Sequence, residues 1–284
     1  MAFSGTTDIL GDFNIETGGK LIMSGGTTTT TFDDLVNNGV VKVEEWCMNS
    51  TTTTSDADRS LSIFPAGSNG EFNLPPELTM VIQRGEGCRL WDTRGNEYID
   101  FSMGWGSALV GHARSEVIEA VKQQVRLGGN FAYVTEPSLT LAEQIAAVSP
   151  ACEQLRFCAS GTEATMCCLN LAIASSGKYK VLKFEGAYHG AHAVGVTSLF
   201  PQQMLPFPKP ERTSAGVSPL VQDQVLVAPF NDADTAAHLI AENAKDLAAV
   251  IVEPLHRCLA PKQGFLQELR KATSANGVLL IFDE

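Results

Sequence analysis

The chain has 284 residues, 44% of them apolar and 18% charged, and a formal net charge of −12 at pH 7. This is the balance of a globular protein able to bury a large core, and its acidity speaks against a nucleic-acid partner, which needs a clustered basic surface. No uninterrupted apolar run approaches the ~20 residues of a membrane-spanning helix, and the N-terminus lacks signal-peptide or transit-peptide character, so a cytoplasmic protein with no membrane partner is expected.

Residues 1–58 stand apart. They hold the threonine runs Thr27–Thr31 and Thr51–Thr54, and residues 1–60 carry nine acids against three bases, half the net charge of the chain. Such a segment is expected to be a loose, low-complexity extension. Residues 59–130 follow as a segment of short strands and a helix. Strands are predicted at Thr79–Ile82, Cys88–Asp92 and Glu97–Phe101, with a turn at Thr93–Asn96. Ser115 is placed to cap a helix whose apolar stripe is Val117, Ile118, Val121 and Val125, stopped by Gly128-Gly129.

Residues 131–284 are expected to form part of a large α/β domain. A helix is predicted over Ser138–Val148, a strand over Gln154–Ala159, a helix over Thr162–Ser175 and a strand over Tyr179–Glu185. After a Pro-rich loop come a strand at Gln224–Ala228, a helix at Asp232–Asn243, a strand at Ala248–Glu253, a helix at Gly264–Ala275 and a strand at Val278–Phe282. Alternation with nearly continuous Val, Ile and Leu in the strands indicates a buried parallel sheet flanked by helices. The seven cysteines include no CxxC pair, and most read as small core residues.

Open parallel sheets bind ligands beyond the carboxyl ends of their strands. The polar groups predicted there are Ser160-Gly161-Thr162-Glu163, Glu185 with Gly186-Ala187-Tyr188-His189-Gly190, Glu253-Pro254, and Asp283-Glu284. Ser160 and Glu163 are explained by a capping box. Gly161 is not, and a glycine at a helix N-terminus also suits a phosphate site. The Lys of a P-loop and the spaced glycines of a dinucleotide fold are both missing. Tyr188-His189-Gly190 reads either as a turn with a half-buried Tyr or as a ligand-facing loop. His189 and His192 lack a third nearby ligand, which disfavours a metal. Asp283, ending the apolar run Val278–Phe282, is expensive to bury without a cationic partner. It either caps a following helix or keeps a heterocyclic nitrogen protonated, as the pyridine of pyridoxal phosphate requires.

Taken in order, these segments resemble the class III aminotransferases, pyridoxal-phosphate enzymes of fold type I. The likeness covers about residues 59–284 and is nearest to aminomutase-like members. It rests on Gly85-Glu86-Gly87, Trp91-Asp92, Gly95–Phe101, Gly111-His112-Ala113, Ser160–Ala164, Lys183–Gly186, Tyr188-His189-Gly190, Glu253-Pro254 and Phe282-Asp283-Glu284. The resemblance implies a three-layer architecture with a mostly parallel large-domain sheet, and pyridoxal 5'-phosphate as cofactor. It implies a small-molecule amino donor, an oxo-acid acceptor and a homodimer. Ser160, Gly161 and Thr162 would hold the cofactor phosphate, Tyr188 would stack on the pyridine, Asp283 would pair with its nitrogen, and His189 would belong to the same site. Glu253 would sit beside Asp283 and help fix it. Trp105 falls in the family's substrate segment, though a core aromatic fits equally.

Three departures accompany the likeness. The family's Schiff-base lysine lies downstream of the strand ending in Asp283, whereas this sequence ends at Glu284, before the C-terminal small domain. None of the lysines present takes that place, so activity is expected of a longer chain, and an inactive cofactor-binding protein is the alternative. Pro65–Asn73 lacks the arginine that binds the aminomutase substrate's carboxylate. Cys258 stands where the ornithine and aminobutyrate branch has a second glutamate. The expected reaction is therefore amino-group transfer, with a glutamate-1-semialdehyde 2,1-aminomutase-type isomerisation as the alternative.

Overall fold

In the computed structural model residues 80–203 and 205–283 are described. Before them only four short backbone strands are described, β1 (Ile15–Glu16) paired with β2 (Lys20–Leu21) and β3 (Thr52–Asp56) paired with β4 (Arg59–Ile63), both antiparallel. The remaining expectations for residues 1–58, for Pro65–Asn73 and for Thr79, Cys47 and Glu284 lie outside the described residues. The chain divides into two compact units, Met1–Glu153 and Gln154–Glu284.

In the first unit, β5 (Ile82–Glu86), β6 (Arg89–Asp92) and β7 (Glu97–Ile99) form an antiparallel meander. The strand expected at Thr79–Ile82 thus begins only at Ile82, because the hairpin pivots on Gly87 at φ +56°. The β6–β7 turn is organised by Asp92. Its Oδ1 accepts from the backbone N–H groups of Arg94 and Asn96, and its Oδ2 from the Asn96 amide and the Tyr98 hydroxyl. The Asn96 amide leads the bonds that hold this carboxyl below its usual range. Helix α1 (Ser115–Leu127) corrects the cap prediction. Ser115 is its first residue, Arg114 is the N-cap, and the Ser115 hydroxyl turns to Glu116. Helix α2 (Glu136–Val148) starts two residues before Ser138, because Thr135 caps it and Pro137 fits the first turn, where its missing N–H costs no hydrogen bond. Neither helix buries a residue.

The second unit runs α3 (Gly161–Ser176), β8 (Lys180–Phe184), α4 (Ala193–Val196), α5 (Pro219–Gln222), β9 (Val225–Ala228), α6 (Ala233–Asn243), β10 (Leu247–Val252), α7 (Phe265–Ala275) and β11 (Leu279–Phe282). The sheet order is β11-β10-β8-β9 and every pairing is parallel. Because alternate side chains point to opposite faces, each strand feeds two cores. Leu182, Phe184, Val250 and Val252 pack with Ile240 of α6 and Phe265 and Leu269 of α7. On the other face Val181 and Ile251 pack with Leu169 of α3. The result is the expected three layers, helix on sheet on helix.

One predicted strand fails. Gln154–Ala159 is irregular, with Leu155 and Phe157 exposed. None of the four strands of this unit pairs with it, and a strand forms only beside a partner. Among the described residues the cysteines are not core residues either. Cys88, Cys168 and Cys258 are exposed and Cys152, Cys158 and Cys167 half-buried. Among the described residues no helix is long and apolar enough to cross a membrane.

Candidate functional site

Three of the four predicted polar clusters follow strands β8, β10 and β11, and the fourth begins helix α3 after the irregular segment. Hydrogen bonds join them. Ser160, the N-cap of α3, accepts from the Glu163 N–H at 3.2 Å, while the Glu163 carboxylate takes the Ala159 N–H at 2.7 Å. This is the capping arrangement predicted, displaced by one residue at its return arm. The N–H groups of Gly161 and Thr162, in the first turn, have no intrahelical acceptor and no partner among the described residues. A side chain added at Gly161 would meet nothing within 4 Å, so the approach to these amides is open.

The loop after β8 closes on that helix start. Gly190, at φ +96°, lies so close that a Cβ would sit 2.6 Å from Thr162 Cα, which admits no side chain. Ala191 N–H donates to Thr162 Oγ1 at 3.1 Å, leaving the hydroxyl proton of Thr162 available. The buried Thr165 hydroxyl donates to the His189 carbonyl at 2.6 Å. His189 is buried, and its Nδ1–H donates to Asp283 Oδ2 at 2.7 Å, a contact between residues 94 positions apart. Burial lowers the His189 pKa against the opposing pull of Asp283, and its Nε2 is buried without a partner among the described residues. His189 thus holds one oxygen of Asp283 by a hydrogen bond, in place of the cationic partner expected from the sequence.

Tyr188 is 41% exposed, while its N–H donates to Glu253 Oε1 at 2.7 Å. The other Glu253 oxygen accepts from the Arg257 N–H at 3.1 Å. Glu253 was expected to steady Asp283; its two oxygens instead hold the backbone of Tyr188 and of the segment after β10. Trp105 belongs to the first unit, with its backbone in the left-handed region at φ 58°.

Two residues of the grouping were not predicted. Lys183, in β8, is wholly buried, and its Nζ donates to the carbonyls of Ala187, Gly195 and Thr197 at 2.9, 2.9 and 2.6 Å. Burial draws its pKa down to about 7, opposed by the nearby Glu253 and Glu185. A lysine inside the run Val181-Leu182-Lys183-Phe184 was the signal, because a cation in such a strand must be satisfied. His256 is buried and stacks on Phe230 with centroids 4.6 Å apart, beneath the Glu253 segment. No sequence signal marks it.

The comparisons with known proteins bear on this geometry. Residues 73–284 match the family model described as "Aminotransferase class-III". The chain belongs to the class III aminotransferases. It is 39% identical over 221 residues to the glutamate-1-semialdehyde 2,1-aminomutase of Methanocaldococcus jannaschii, covering 77% of this chain and 51% of that protein. The corresponding enzyme of Chloroflexus aurantiacus is 37% identical over 236 residues, covering 81% and 53%. The chain thus spans about half the length of the curated relatives it matches. Among solved structures, an omega-transaminase from Sphaerobacter thermophilus superposes with a TM-score of 0.68 at 37% identity, covering 72% of this chain and 48% of that one. A glutamate-1-semialdehyde-aminomutase variant from Pseudomonas aeruginosa PAO1, in complex with PMP, gives 0.62 at 29% identity, covering 73% and 45%. The family's fold type I architecture is the three-layer arrangement described above.

The residues present fit the family's cofactor, pyridoxal 5'-phosphate. Free helix N-terminal amides and a hydroxyl proton suit a phosphate. An aromatic side chain beside them suits a planar heterocycle, and Asp283, held through one oxygen by His189, has a second carboxylate oxygen that suits a ring N–H.

Proposed function

We propose that this chain carries the cofactor half-site of an aminotransferase that moves an amino group between a small amino compound and an oxo acid. The observation that carries the reading is the junction of Asp283 with His189 on the loop that packs against the start of α3. It brings an acid, an aromatic and an anion-binding helix terminus to one sheet edge. When bound, pyridoxal phosphate supplies an electron sink for the carbon that loses or gains the proton.

The chain's own residues do the rest. The N–H groups of Gly161 and Thr162, with the Thr162 hydroxyl, bind the phosphate, and Ser160 holds the helix terminus in place. Tyr188 covers one ring face. The Asp283 carboxylate keeps the proton on the pyridine nitrogen, which maintains the ring's electron demand. His189 donates to Asp283 and fixes its orientation, so it acts on the cofactor through the acid. Glu253 positions Tyr188 through its backbone. Lys183 is committed to three carbonyls and is not the amine that links the cofactor. A glutamate-1-semialdehyde aminomutase-type isomerisation is the second reading, favoured by the names of the curated relatives; it needs the same half-site.

Pyridoxamine 5'-phosphate needs no lysine linkage, so its binding by this chain tests the half-site directly. Asp283→Ala is expected to weaken that binding at least ~10-fold, the worth of a charge-assisted hydrogen bond. Unchanged affinity in a titration followed by cofactor fluorescence would refute the role of Asp283. An amine-donor screen separates transfer from isomerisation.

A further inference from the structure

The loop from Gly186 to Thr197 carries Tyr188, His189 and the Gly190 contact to α3, yet little of it is regular structure. Only the four-residue helix α4 interrupts it. What draws it together is one atom. The carbonyls of Ala187, Gly195 and Thr197, spread over ten residues, converge on Lys183 Nζ at 2.6–2.9 Å. Three acceptors match the three N–H donors of an ammonium, and a neutral amine has only two. The lysine comes from β8, flanked on both sides in the sheet by β9 and β10, so the anchor belongs to the sheet while the loop it gathers is mostly irregular. Gly195 closes the same circle: a Cβ there would lie 2.3 Å from the Gly190 carbonyl oxygen.

We propose that Lys183 is a positioning residue of the cofactor site, a buried ammonium that folds the 186–197 loop so that Tyr188 faces the cofactor and His189 reaches Asp283. The proposal rests on the half-site reading for its consequence, though not for the loop's conformation.

The test compares hydrogen–deuterium exchange and pyridoxamine 5'-phosphate titration for the full chain, Lys183→Met and Lys183→Arg. In Lys183→Met, exchange at residues 188–197 is expected to quicken at least ~10-fold, as three buried carbonyls lose their donors. Amides of β10 and α6 should keep their protection, and cofactor affinity should fall about tenfold. Lys183→Arg, which keeps charge and donors, should restore part of both. Loop protection unchanged in Lys183→Met, or exchange raised uniformly through residues 154–283, would overturn the proposal. Should Lys183→Met fail to fold, the 15N signal of a slowly exchanging ammonium in the unmodified chain decides. Its presence, lost in Lys183→Arg, supports the cradle, and its absence refutes it. If the unmodified chain does not bind pyridoxamine phosphate, the half-site reading falls, while the exchange data still judge the lysine.

Discussion

The strands of the second unit and the helices of the first were equally regular in the sequence, and they end in opposite environments. All six residues of β10 are buried. Helix α1 has an apolar stripe of the correct period, yet Val121 is 54% and Val125 66% exposed. Periodicity reports which face of an element is apolar. It does not report what covers that face. A continuous apolar run flanked by two amphipathic helices carries more information, because a parallel sheet is stable only when both faces are covered.

That contrast can be broken by measurement. The largest effect is expected at Ile251→Ala in β10, where removing a wholly buried side chain should cost 2–5 kcal/mol by roughly the usual cavity scale, read from urea unfolding. Gly190→Ala should follow at about 2 kcal/mol or more, since its Cβ meets Thr162 backbone at 2.6 Å and its φ of +96° disfavours a side chain. It should also weaken pyridoxamine phosphate binding, and a neutral result would show that the loop and α3 do not touch. Acid should act more gently. Burial lowers the pKa values of His189, His192 and His256. The unfolded chain therefore binds more protons below its own histidine pKa near 6.5, and the stability present above that pH is lost as pH falls through the folded values. A melting temperature that drops by a few degrees between about pH 7 and pH 5 is expected, and His256→Phe should flatten the dependence. Val125→Ala should do least, within about 0.5 kcal/mol. A cost above ~2 kcal/mol there would mean that the α1 stripe is covered in solution.

The same contrast explains what could be read in advance. β8, β9, β10 and β11 were found within one or two residues, because each is an apolar run bounded by polar turns. Gln154–Ala159 has the same composition as a strand, but strand formation depends on a neighbour, which composition does not encode. Ser115 looked like a cap because Ser is common at that position, whereas the chain reaches its extended residue one position earlier, at Arg114. At the site, Ser160, Gly161, Thr162, Tyr188, Glu253 and Asp283 were identified as strand-end or helix-start groups. Their pairing was not, since the link from His189 to Asp283 spans most of the second unit. Lys183 did leave a signal, a cation inside an apolar strand run, but its three carbonyl partners lie in the following loop and have no pattern of their own.

The bond from His189 to Asp283 also sets an order of events. It joins the loop after β8 to the residue after β11, which among the described strands pairs with β10 alone. Contacts of such long sequence separation form late and slowly, since a large loop must close before they are gained. The half-site is therefore the last part of this unit to be completed. In a refolding experiment, the return of pyridoxamine phosphate binding should lag behind the return of helical signal, and the lag measures how long β11 takes to dock.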